Sequence, residues 1–198
     1  MFSNKHLPAL LLGLLVGTSP ALEAQISTPT FMAPRSSNDV GAYLSNPGLG
    51  QLAIEGIWRR NQGSYDLGLR GGLVDTSDDA AVTLGIEFRN PFVLGEPPVV
   101  AALTAGAQGL IGDFQRIGAQ VGLSVGATFY PEGAPFSLTP YLHPRLAVVS
   151  GLRDGDGTDV NVLADLGVDF EFAPNVSLRL GFGVGDESSS FGFGFAVR

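Results

Sequence analysis

The sequence predicts an all-β chain: a closed antiparallel transmembrane β-barrel of about ten strands, with eight as the alternative. Three observations carry that expectation. Apolar residues alternate with small and polar ones over most of the chain, the two-residue period of strands whose faces see different surroundings. Most alternating runs reach ten or more residues, against about 5–6 for soluble strands and about 9–11 for strands crossing a bilayer on a tilt. The face opposite the apolar one carries Gly, Gln, Ser, Thr and single charges, with no lysine after Lys5. Solvated faces usually carry lysine and glutamate. The competing architecture is a soluble secreted β-sandwich, whose apolar faces pack on each other.

The chain divides into residues 1–24, 25–38 and 39–198. Lys5 and His6 precede an apolar run from Leu7 to Val16, followed by small residues leading to Ala21 and Ala24. That is the order of a secretory signal peptide, with cleavage expected after Ala24 or, alternatively, Ala21. At about ten residues the run has roughly half the length of a spanning helix. Removing Lys5 and Glu23 leaves ten Arg and 18 acidic residues, a formal charge of −8. Residues 25–38 read as irregular.

Strands are expected near 39–45, 51–60, 65–75, 80–90, 99–111, 115–130, 136–150, 159–172, 175–185 and 190–198. The clearest alternation puts Ile117, Ala119, Val121, Leu123, Val125, Ala127 and Phe129 on one face. Gly118, Gln120, Gly122, Ser124, Gly126 and Thr128 take the other. Val82, Leu84, Ile86 and Phe88 form a second apolar set, and Val160, Val162, Ala164, Leu166, Val168 and Phe170 a third. Thr139-Pro140 and His143-Pro144 disturb the seventh strand, because proline donates nothing to a ladder. Pairing there is expected to begin late, or to bulge near His143.

The turns fall into two classes. Those at 75–79, 112–113, 151–158 and 186–189 concentrate acidic residues, and 46–50 groups with them. Those at 61–64, 90–98, 131–135 and 173–174 have aromatics beside them: Trp58, Tyr65, Phe88, Phe129, Phe136, Phe170 and Phe172. Aromatics gathered at one interface are the girdle of a transmembrane barrel. The C-terminus falls on that side, which would be periplasmic.

Composition limits the chemistry. The acidic balance argues against nucleic acid as a partner, and the absence of Cys removes disulfides, thiolate metal sites and Cys nucleophiles. Gly122-Leu123-Ser124-Val125-Gly126 matches the nucleophile-elbow string, but that chemistry needs a strand-to-helix turn and the string lies inside a strand. His143, the only histidine after residue 24, is expected to fill the interior; alone it makes no metal site. Asp154, Asp156 and Asp159 form an acidic Gly-rich turn that could hold a hard cation weakly. No catalytic residue, metal or cofactor is assigned.

Inward charges are more informative. Arg70 and Glu87 fall on adjacent strands, as do Arg145 and the pair Asp165/Asp169, with Arg179 on the next strand. Charges in a narrow barrel are costly unless paired, so these six are expected to cross-link the lumen. The alternative is a charged constriction lining a narrow pore for ions or small solutes. Barrels of about eight strands are filled by side chains, and wide channels need roughly 16.

The alternation, the signal peptide, the ending Phe191-Gly192-Phe193-Gly194-Phe195 and the opening Thr139-Pro140-Tyr141-Leu142 resemble small Gram-negative outer-membrane β-barrels of the OmpA-like or porin-like type. The resemblance covers about 39–198. It implies an outer-membrane location, with membrane lipid and the barrel-assembly machinery as partners and no small-molecule ligand. The family's usual terminal Phe or Trp is replaced here by Ala196-Val197-Arg198, a shifted or weakened assembly signal. A structural or surface-contact role is expected rather than catalysis, with a lipid-modifying enzyme using His143 as a further alternative.

Overall fold

The computed structural model describes residues 28–46, 52–75, 80–94, 98–112, 115–152, 157–172, 175–185 and 189–198. The signal segment and Asp154 and Asp156 lie outside these residues. Ten strands form: β1 (Asp39–Asn46), β2 (Leu52–Asn61), β3 (Asp66–Asp75), β4 (Ala80–Val93), β5 (Val99–Ile111), β6 (Arg116–Ala127), β7 (Phe136–Gly151), β8 (Thr158–Phe172), β9 (Val176–Val184) and β10 (Ser189–Val197). Each pairs antiparallel with its chain neighbours, and β1 pairs with β10 to close the sheet. Eight strands are thereby excluded, and no helix occurs among the described residues. Closure leaves no edge, so backbone groups are paired within the sheet, as a membrane interior requires.

The period of two sorts every strand into an outward and an inward row. On β4, Val82, Leu84 and Ile86 are exposed while Thr83, Glu87 and Arg89 are buried. On β8, Val160, Val162 and Leu166 point out and Asn161, Asp165 and Asp169 point in. Polar and charged groups therefore occupy the inside, and the outside is an apolar belt running through Leu69, Leu84, Ile86, Val121, Leu146 and Phe193. That is the reverse of a soluble core.

Three details differ from the sequence expectation. β7 begins at Phe136 and pairs with β8 in one unbroken register through Ser150↔Thr158, so pairing neither starts late nor bulges. The cost of proline appears on the other side: β6–β7 pairing omits Leu123↔Pro144 and Ser124↔His143, then resumes in the same register at Val125↔Leu142. β4 continues past Asn90 to Val93, because beyond Arg89 it is paired only with β5. Pro91 thus sits on a local edge, where a missing donor is tolerated. β6 stops at Ala127, and Phe129 makes a single bridge to Leu138.

Both Arg198 and the start of β1 lie at one end of the barrel, called here the terminal end. Tight turns close it. Ala134 N–H donates to the Pro131 carbonyl at 3.1 Å, and Gly133 has φ +73°, the left-handed position that a type II turn gives to glycine. The aromatics named above gather at this end: Tyr65 and Phe88 have ring centroids 5.5 Å apart, and Phe136 and Phe172 are 5.7 Å apart.

Candidate functional site: a lumen filled by its own chain

Residues 28–37 do not lie outside the barrel. From Asp39 the chain turns back into the lumen, and Thr28, Pro29, Thr30, Phe31, Met32, Ala33 and Pro34 are all buried there. Pro29 and Pro34 each lack a backbone donor and hold φ near −65°, which makes the segment unfit for a ladder. The wall therefore grips it with side chains. Arg59 donates to the Thr30 carbonyl at 3.2 Å, Arg89 to the Ala33 carbonyl at 2.7 Å, Arg145 to the Thr28 carbonyl at 3.2 Å and Ser124 Oγ to the Met32 carbonyl at 2.6 Å. Two carboxylates take its N–H groups: Asp165 from Thr30 at 3.1 Å and Asp66 from Ser37 at 3.1 Å.

Phe31 anchors the segment. Its φ is +53°, a left-handed conformation that costs a bulky residue on the order of 1 kcal/mol or more. The ring rests 4.6 Å from that of Tyr43 and joins Tyr43 and Ile57 in an apolar cluster inside the lumen. Gly181 and Gly192 make room for it: a Cβ on Gly192 would come within 2.8 Å of Phe31 Cζ, and one on Gly181 within 3.2 Å of Cε1. Glycine on the inward row is what lets a large side chain lie flat against the wall.

The six inward charges expected from the sequence all face the lumen and are buried. On the β2–β4 wall they form a ladder. Arg70 bridges Glu55 (2.5 Å) and Glu87 (3.1 Å), and Arg59 takes the other oxygen of Glu87 at 3.0 Å. Gln108 extends the ladder to Glu55 and to Thr83. On the opposite wall Arg145 pairs with Asp165 at 3.1 Å, whereas Asp169 pairs with Arg179 at 3.2 Å. The sequence had offered both aspartates to Arg145; the β7–β8 register, which sets Arg145 opposite Leu163 and His143 opposite Asp165, separates them. Arg179 also reaches Asp39 at 2.5 Å and Tyr43 Oη at 2.5 Å. Near the terminal end Arg89 pairs with Asp66 at 2.6 Å.

Glu55, Arg59, Asp66, Arg89 and Asp39 went unassigned in the sequence. On β2 the hydropathy was ambiguous, since Ile57 points inward and Arg60 outward. Strict alternation from Glu55 to Arg59 was the available signal. Asp39 meets Arg179 only because β1 closes on β10.

His143 sits in a row of hydrogen bonds. Thr104 Oγ1 lies 2.8 Å from Nε2, and Thr30 Oγ1 lies 2.8 Å from Nδ1 and donates to Asp165 at 2.7 Å. With the Thr30 hydrogen committed to Asp165, Thr30 Oγ1 is left to accept from Nδ1, which also lies 3.3 Å from Asp165 Oδ2. The row has the polarity of a proton relay, yet Thr104, His143 and Asp165 are all buried and Thr30 lies over them. Ser124 belongs to no such row, being spent on the Met32 carbonyl. Asp159, on β8, is not joined to any three-residue metal-binding cluster among the described residues.

One cavity, lined by Arg70, Glu87, Gln108 and Gln120, and another, lined by Met32, Arg59, Asp66 and Arg89, hold about 10 Å³ each, room for about one water. Toward the opposite mouth the inward row gains apolar residues, with Ala53, Val74, Leu110, Ala147, Val149 and Leu163 all buried.

No family model matches the chain, and no curated protein matches it. Solved structures do. The β domain of the Bordetella autotransporter BrkA superposes with a TM-score of 0.51 at 14% identity, covering 82% of this chain and 76% of that one. The KdgM porin in complex with disordered oligogalacturonate gives 0.46 at 5% identity, covering 81% and 98%. Neisserial surface protein A gives 0.39 at 14% identity, covering 81% and 97%. At these identities the likeness concerns architecture alone: the chain has the fold of the outer-membrane β-barrels.

Proposed function

We propose that this protein is a small outer-membrane barrel that does not conduct, serving a structural or surface-contact role with its lumen filled by its own chain. The observation that carries this reading is residues 28–34 buried among paired charges, beside cavities with room for about one water. The apolar outer belt would face lipid, and the aromatic rings at the terminal end would lie at the periplasmic interface. The acidic turns would then be external. Export through cleavage near Ala24 would leave a mature chain whose first residues lie just before the lumen segment. A lipid-modifying activity at His143 would need a substrate where Thr30 now sits.

The test is made on protein refolded in detergent. A closed barrel resists SDS in the cold, so the unboiled band should migrate differently from the boiled one. The same protein in planar bilayers should give no single-channel steps in molar salt. Regular steps altered by Arg145→Ala would replace this reading with the narrow pore. Absence of a gel shift, with solubility in plain buffer, would return the secreted sandwich.

A further inference from the structure

The segment 28–37 relates to the wall as a ligand does to a site. The hydrogen bonds described above between it and the strands each use a wall side chain. The wall ladders close without it, β1 to β10. The wall charges are also paired without it: Arg59 and Arg70 with Glu87, Arg89 with Asp66, Arg145 with Asp165, Arg179 with Asp39. Residues 28–34 carry no formal charge, and Arg35, the one charge of the segment, pairs with Glu171, which Arg198 also reaches. They offer carbonyls to guanidinium donors already held in place, and one aromatic ring to a space bounded by Gly181, Gly192 and Tyr43.

Preorganised donors, a shaped aromatic pocket and a proline-stiffened occupant are the parts of a peptide-recognition site, in which stiffness lowers the entropic cost of binding. The left-handed φ of Phe31 fits the same picture, because the pocket holds the ring at the expense of local backbone comfort. We propose that the lumen is a binding site for a short peptide with an aromatic anchor in an uncharged run, and that residues 28–37 are its tethered, exchangeable occupant. This rests on the filled-lumen reading above. It adds that the filling can leave and be replaced, whereas a fixed strut could not.

The experiment uses the full-length chain with residues 28–37 replaced by glycine and serine, refolded in detergent, and a fluorescent synthetic peptide of sequence 28–37. The variant should keep the cold gel shift and bind the peptide saturably. Wild type should bind it far more weakly, because the tethered copy competes at high effective concentration. A peptide with alanine in place of Phe31 should bind about thirty-fold more weakly. Gly181→Val in the replaced chain, where an added Cβ has Pro29 and Phe31 as its nearest neighbours, should weaken the intact peptide by a similar factor. Failure of the replaced chain to fold would overturn the proposal, since a ligand is not needed to close the wall. So would a folded variant that binds neither peptide, or both equally. Conductance by wild type is a separate readout and would overturn the filled lumen instead.

Discussion

Arg70→Ala will cost the barrel about 3–5 kcal/mol of unfolding free energy, the range for removing one partner of a buried ion pair. Arg70 is buried and is the residue that joins Glu55 to Glu87. Glu87 keeps Arg59. Glu55 keeps only the Gln108 amide at 3.3 Å and is left as a buried charge without a cation. The loss is therefore the desolvation of an unpaired carboxylate rather than the worth of the bridge itself. Urea titration of the protein folded into lipid vesicles reads the change. Glu55→Gln added to Arg70→Ala should recover part of the loss, because the unpaired charge is gone. A change below about 1 kcal/mol would mean that water reaches this wall and the lumen is not filled as described.

Val121→Arg should cost about 2–4 kcal/mol in the same assay, the depth-dependent penalty for arginine on a lipid-facing position near the bilayer midplane. Val121 lies near the middle of β6 and is 57% exposed. On a protein surface bathed in water the same substitution would fall within about 0.5 kcal/mol. The two outcomes thus separate a lipid-facing belt from a solvated one. A neutral result would overturn the membrane placement whatever the gel shift shows. Gln120→Leu on the neighbouring inward position serves as a contrast. It removes the 2.6 Å acceptor of Arg145, so its cost should arise from the lumen and should not depend on the lipid used.

The sidedness of the barrel was legible in the sequence because it depends on a local rule. Successive strand residues point to opposite faces, so Ile117, Ala119, Val121 and Leu123 declare one surface wherever the strand is placed. Adjacent hairpin strands are neighbours in space, which is why Arg70–Glu87 and Asp169–Arg179 could be anticipated from position alone. Register needed the structure. A shift of four residues along β8 decides whether Asp165 or Asp169 lies near Arg145, and the sequence carries no marker of that shift.

The occupant of the lumen was beyond the sequence for a different reason. Residues 28–37 have no period, and their prolines read as loop. Phe31 and Met32 are apolar side chains whose burial exists only once ten strands have closed around them. Asp39 and Arg179, 140 positions apart, meet by the same closure. What the chain determined by itself was the two-faced wall and the polar, charged character of the row inside it. What the tertiary structure decided was which charges pair and what fills the space, because those depend on a closed surface whose parts are distant in sequence.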